Sequence, residues 1–171
     1  MITIITGGVK SGKSSFALEL GKNYQKKLYI ATSEAFDEEM KKKIQRHRTE
    51  RDHTWSTVEE PLNIDKALTQ NSGFEYVVLD CITVWLNNIL YHKNDVEQYF
   101  NSFADTLKII NLNITIVTNE TGMGIIPADS LTREYVNLLG TINQKIAKIA
   151  DNLILMVSGY PFWIKRGGCV L

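Results

Sequence analysis

Short, uniformly apolar runs alternate along the chain with longer stretches in which apolar residues recur every three or four positions. The runs at 2–6, 28–31, 76–80, 114–118 and 153–157 show no polar alternation, which predicts strands buried on both faces. The stretches between them predict helices near 13–26, 37–50, 61–70, 82–91, 95–111 and 130–150. The last is the clearest: Leu131, Tyr135, Leu138, Leu139, Ile142, Ile146 and Ile149 form one apolar stripe at helical spacing. Asp129 or Ser130 is placed to cap it, because a side-chain oxygen there accepts an orphan backbone N–H. Pro61 suits the first turn of the short 61–70 helix, where its missing N–H costs nothing. Strands regularly separated by helices imply an α/β fold, a mostly parallel sheet with helices on both faces. There is no repeat, low-complexity tract or linker, so residues 1–171 read as a single domain.

The 37–50 stretch differs from the others. Asp37-Glu38-Glu39 open it, and Lys41, Lys42, Lys43, Arg46, Arg48 and Arg51 follow, an order that complements a helix dipole. Its apolar face is thin, only Met40 and Ile44, so it reads as a surface helix placed to cover a site.

Composition narrows the function classes. Nineteen Lys+Arg balance nineteen Asp+Glu among 171 residues, and non-specific nucleic-acid binding needs a basic surplus. No apolar run approaches the ~20 residues that span a bilayer, and the N-terminus lacks the basic and apolar regions of a signal peptide. The two cysteines, Cys81 and Cys169, form no C-x-x-C pair and suggest a reducing compartment. The expectation is a cytoplasmic protein with small-molecule substrates, no nucleic acid and no membrane span.

Gly7-Gly8-Val9-Lys10-Ser11-Gly12-Lys13-Ser14 fits G-x-x-x-x-G-K-[ST], the phosphate-binding P-loop, between an apolar strand and an amphipathic helix. The glycines let successive N–H groups turn toward phosphate oxygens at a helix N-terminus that is already partly positive. Lys13 then neutralises the outer phosphates and Ser14 ligates Mg²⁺. A P-loop wants an acid from a neighbouring strand to share that metal. Asp80, ending the run 76–80, supplies one at the edge where α/β ligands bind, although a strand-end Asp also serves as a helix cap. The chain is thus P-loop NTPase-like. Thr118-Asn119-Glu120-Thr121 lacks the Lys and Asp of the N-K-x-D guanine motif, which excludes a switch GTPase.

The residues beyond the P-loop carry a closer likeness. They include Tyr29-Ile30-Ala31-Thr32-Ser33, Asp37-Glu38-Glu39-Met40, and Ile44 with His47-Arg48, Arg51, Trp55 and Thr57-Val58-Glu59. Asp80-Cys81-Ile82-Thr83 with Trp85-Leu86 follows, then Val117-Thr118-Asn119-Glu120 with Gly122-Met123-Gly124-Ile125-Ile126-Pro127. With these blocks in this order, the sequence resembles the bifunctional adenosylcobinamide kinase/adenosylcobinamide-phosphate guanylyltransferase family of cobalamin biosynthesis, from Ile4 to about Lys165.

The resemblance implies two reactions. A nucleoside triphosphate, ATP or GTP, phosphorylates the aminopropanol hydroxyl of adenosylcobinamide. A histidine then attacks the α-phosphorus of GTP, and the GMP passes to adenosylcobinamide phosphate, giving adenosylcobinamide-GDP. Of the three histidines, His47 alone lies in a matching block, with Arg46 where some members carry a second histidine. On its residue type alone His47 reads as a surface histidine; the resemblance makes it the nucleophile. Arg48 and Arg51 suit the charge on departing pyrophosphate. The resemblance also places Thr32, Ser33, Glu34, Arg48, Thr49, Glu50, Arg51 and Glu59 near the nucleotide. Glu59 is suited to guanine N1–H and the 2-amino group, or else serves as a helix-entry acid. It further implies a homo-oligomer, with a trimer as the expected assembly. A small-alcohol kinase without the covalent step, and a silent nucleotide-binding module, are the competing readings. The first leaves the His47 block unexplained, and the second predicts loss of Lys13, Ser14 or Asp80, all of which are present.

Overall fold

Strands without polar alternation need apolar cover on both faces, and here they receive it. The computed structural model describes residues 1–34, 53–71 and 73–171. The first half runs β1 (Ile2–Gly7), α1 (Lys13–Leu20), β2 (Lys27–Ala31), β3 (Trp55–Glu59), α2 (Ile64–Gln70), β4 (Tyr76–Asp80) and α3 (Ile82–Tyr91). The second runs α4 (Val96–Ile109), β5 (Asn113–Val117), α5 (Ser130–Ile149), β6 (Asn152–Val157), β7 (Tyr160–Arg166) and β8 (Cys169–Val170). These strands form one sheet in the order β3-β2-β4-β5-β1-β6-β7-β8. From β3 to β6 neighbours are parallel, and β7 and β8 add an antiparallel edge.

Successive residues of each central strand point to opposite faces. Ile4, Ile30, Leu79 and Ile116 meet Ile64 and Leu68 of α2, Trp85 of α3, Phe103 of α4 and Leu139 and Ile146 of α5. Ile5, Tyr29, Val78 and Val117 face the other way, onto Ala17 of α1. The expected parallel sheet with helices on both faces is therefore observed, with α1 on one side and α2 to α5 on the other among the described residues. Asp129 caps α5 by accepting the Thr132 N–H at 2.8 Å. The segment expected as the 37–50 helix lies outside the described residues.

The structure corrects several boundaries. Helix α1 stops at Leu20, short of 26, because the chain must close under Tyr76. A Cβ on Gly21 would lie 2.6 Å from Cε1 of that ring. The ring cannot yield: its hydroxyl donates to the Ala17 carbonyl at 2.9 Å and lies 2.6 Å from Thr115 Oγ1. We expect Gly21→Ala to cost about 1–3 kcal/mol by overpacking, read as a lower urea midpoint. A loss below about 0.5 kcal/mol, the range of an ordinary surface change, would show that the ring moves aside. Pro61 does not open α2, which begins at Ile64 after Asn63.

Three strands, β3, β7 and β8, are additions to the five expected. Strand β3 is an edge strand with only Trp55 and Val58 partly buried. The other two are joined by tight turns: Ser158-Gly159 and Gly167-Gly168 all have positive φ, 50°, 89°, 57° and 85°. Such paired left-handed residues make the two-residue turns that match strand twist.

Candidate functional site

The carboxyl ends of the parallel strands define one edge, and the loops leaving it hold most of the polar residues singled out above. At the end of β1, Gly7 has φ 147°, and a Cβ there would lie 2.5 Å from the Met156 carbonyl oxygen. Gly12, at φ 95°, turns the loop into α1. Between them the loop is braced by its own Ser11 N–H to Gly8 O bond at 3.3 Å. The Gly159 N–H of the β6–β7 turn adds a bond to Ser11 O at 3.0 Å. Lys13 is buried, and its Nζ donates to Gly8 O at 2.6 Å, which draws the ammonium across the loop. Ser11 Oγ is buried without a partner among the described residues, while Gly8, Val9 and Lys10 form the exposed tip.

Asp80 meets this loop from β4. Ser14 Oγ donates to Asp80 Oδ2 at 2.8 Å, and the Tyr29 hydroxyl donates to the same oxygen. Two hard oxygen donors side by side are what Mg²⁺ accepts, since that ion keeps several waters and takes the rest from one or two protein groups and phosphates. No three His, Cys, Asp or Glu side chains converge to make a metal cage among the described residues. In the sequence Tyr29 stands only within a matching block, with no role of its own. It is 4% exposed, and its bond fixes the carboxylate's rotation. We expect Tyr29→Phe to raise the Mg²⁺ concentration giving half-maximal activity about tenfold, the scale of one hydrogen bond to a charged group. An unchanged Mg²⁺ titration would show that Ser14 alone orients Asp80.

Thr32 lies just beyond β2. It is fully buried; its hydroxyl accepts the Cys81 N–H at 2.8 Å and lies 2.9 Å from Cys81 O and 3.2 Å from Asp80 O. Its own N–H donates to Asp80 O at 3.0 Å. Its side chain therefore supports the Asp80–Cys81 junction from behind. Asn88, also fully buried, holds Thr32 in turn through a 2.7 Å bond to its carbonyl oxygen. Ser33 and Glu34 are half-buried just beyond β2. Glu34 meets His92, at the end of α3, with an Oε1–Nε2 distance of 3.2 Å.

Register places Glu59 on the same edge. It pairs with Ala31, Ala31 with Asp80, Asp80 with Val117 and Val117 with Ile5. Glu59 is thus two strands from Asp80 and four from β1, about 19 Å at the usual strand spacing. Just beyond β5, the strand between β4 and β1, Glu120 donates its N–H to Gly7 O at 3.1 Å and accepts from Thr6 Oγ1 at 3.3 Å. Asn119 is held by Thr83 Oγ1, which accepts its N–H at 2.9 Å, and by Asn143, which donates to its carbonyl at 3.0 Å. Tyr135 donates to Thr83 O at 2.8 Å. Burial, with Cys81 adding to it, pushes the Tyr135 phenol up, so it remains a donor. His47, Arg48, Thr49, Glu50 and Arg51 lie outside the described residues.

A profile described as cobinamide kinase / cobinamide phosphate guanyltransferase matches residues 3–164. The bifunctional adenosylcobalamin biosynthesis protein CobU of Salmonella typhimurium is 35% identical, over 96% of this chain and all of that protein. The corresponding CobP of Pseudomonas aeruginosa is 34% identical, over 96% of this chain and 98% of that protein. Among solved structures, a KaiC-like protein from Pyrococcus horikoshii superposes with a TM-score of 0.53 at 13% identity, over 90% of this chain and 71% of that one. The RadB recombinase gives 0.51 at 16% identity, over 90% and 73%. At such identities the two structures speak for the fold alone.

Proposed function

This chain belongs to the cobinamide kinase / cobinamide phosphate guanyltransferase family, and from that premise we propose how its residues divide the two reactions. The enzyme phosphorylates cobinamide with a nucleoside triphosphate and then transfers GMP from GTP to the cobinamide phosphate. The observation that carries the reading is the 2.8 Å bond joining Ser14 of the loop to Asp80 of β4, within the family's matched span.

In the kinase step the 8–13 backbone N–H groups and Lys13 hold the β- and γ-phosphates. The acceptor hydroxyl forms a bond to the γ-phosphorus as the bridging P–O bond breaks and the nucleoside diphosphate leaves. There is little covalent work for the protein in such a transfer, so positioning and charge carry it. Ser14 and Asp80 hold the Mg²⁺, which when bound neutralises phosphate charge. Tyr29 and Thr32 keep Asp80 in place.

In the second step the same loop holds the triphosphate of GTP, with guanine toward Glu59. The neutral imidazole of His47 forms a P–N bond to the α-phosphorus, and the P–O bond to pyrophosphate breaks. Arg48 and Arg51 stabilise the charge on the departing group. A phosphate oxygen of cobinamide phosphate then attacks that phosphorus and returns the electron pair to His47. Ser33, Glu34, Thr49 and Glu50 line the nucleotide's path. We place the enzyme in the cytoplasm, as one catalytic domain over residues 1–171 that assembles as a homo-oligomer, a trimer.

The reading predicts two successive products. Purified chain with Mg²⁺, adenosylcobinamide and either ATP or GTP gives adenosylcobinamide phosphate, and GTP then gives adenosylcobinamide-GDP with release of pyrophosphate. Chromatography of the corrinoids reads both. Formation of neither would contradict the assignment, and arrest at the phosphate would leave a kinase alone.

A further inference from the structure

The 121–127 loop, which follows β5, and α5 enclose a groove of about 620 Å³. We propose that it seats the corrin ring of the cobinamide substrate, an inference that rests on the family's kinase and transferase reading.

Position is the first argument. The loop leaves β5, the strand beside β1, and Glu120 just before it bonds to Thr6 and Gly7. A ring held here lies one strand from the phosphate loop, so an alcohol on a side arm of that ring reaches the γ-phosphorus. The volume is within the range of small-molecule sites, roughly 300–1,000 Å³.

Chemistry is the second. The macrocycle offers apolar faces and a rim of amide side chains. The groove's lip carries Ile125 and Ile126, 97% and 80% exposed. Its α5 wall carries Asn137, Thr141 and Gln144, which at helical spacing share one face and offer donors and acceptors for amides. Arg133, also in the wall, is committed to the loop itself, donating to Pro127 O at 2.9 Å and Ala128 O at 2.5 Å. That anchors the loop and leaves the wall's free polar groups uncharged, as an amide rim requires.

The floor is the third. Gly140 sits in the middle of α5, where glycine is less favourable than alanine by about 0.5–1 kcal/mol. Packing does not require it, because a Cβ there would meet nothing within 4 Å. What the missing side chain provides is a flat surface for the face of a planar ligand.

Equilibrium dialysis of cobinamide, followed by its visible absorbance, tests the site on the full chain. Gly140→Trp is expected to weaken binding about tenfold or more, and Ile125→Asn about three- to tenfold, with nucleotide affinity and sedimentation unchanged in both. Retained nucleotide affinity reports that Gly140→Trp is folded, and Ile125→Asn, at an exposed lip, supplies the second reading. Wild-type affinity for cobinamide in both variants would overturn the proposal. So would weaker binding accompanied by a smaller assembly, which would make the lip a contact between copies. If the wild-type chain itself bound no cobinamide, the family-based function would fall, and the groove with it.

Discussion

Lys13→Met is expected to lower phosphoryl transfer to cobinamide by about 10²–10³-fold, and guanylyl transfer by a similar factor. That is the scale for removing one preorganised charge from a transition state. Methionine keeps most of the buried stem, so packing in α1 is retained and the loss isolates the ammonium. The ammonium is already drawn into the loop, 2.6 Å from Gly8 O, and needs little rearrangement to reach a phosphate. Both reactions should fall together, because one loop holds the outer phosphates in each. Steady-state rates with cobinamide and with cobinamide phosphate check this. A loss confined to one reaction would mean that the two use separate phosphate sites.

His47→Ala should split what Lys13→Met joins. Removing an attacking nucleophile costs on the order of 10⁶-fold, so guanylyl transfer falls to background. The kinase step needs no imidazole and should stay within about threefold, a change of less than 1 kcal/mol in the barrier. The nucleophile must be neutral, so in the wild-type enzyme attack on GTP should weaken in acid, where an imidazole takes up a proton. The kinase step should not follow that profile.

The sequence made the phosphate half of the site legible because its chemistry is local. The glycines of the loop, Lys13 and Ser14 are contiguous, and Asp80 announces itself by ending an apolar run. The sheet's centre was legible for a related reason: strands covered on both faces cannot alternate. Its edges were not. Strand β3 buries little, and Pro161 argues against a strand. It is tolerated because β8 pairs only with Lys165 and Arg166, so the missing N–H leaves no ladder bond unmade. Ser158-Gly159 between two apolar runs was the hairpin signal that could have revealed β7.

Roles that depend on contacts across the sheet were hidden for a different reason. Tyr29 lies 51 positions from Asp80, and its hydroxyl reads from sequence as one more apolar strand residue's tip. Glu34 and His92 are 58 positions apart, and only the fold brings them together. The burial of Thr32 was equally invisible, since a threonine after a strand suits a ligand contact and a backbone brace alike.

The covalent histidine is the central claim, and one labelling experiment addresses it most directly. Purified chain is incubated with Mg²⁺ and GTP labelled at the α-phosphorus, then denatured and freed of nucleotide. The account predicts acid-labile, base-stable label on the wild-type chain and none on His47→Ala or after γ-labelled GTP. A chain that binds GTP and phosphorylates cobinamide yet retains no α-label would contradict it.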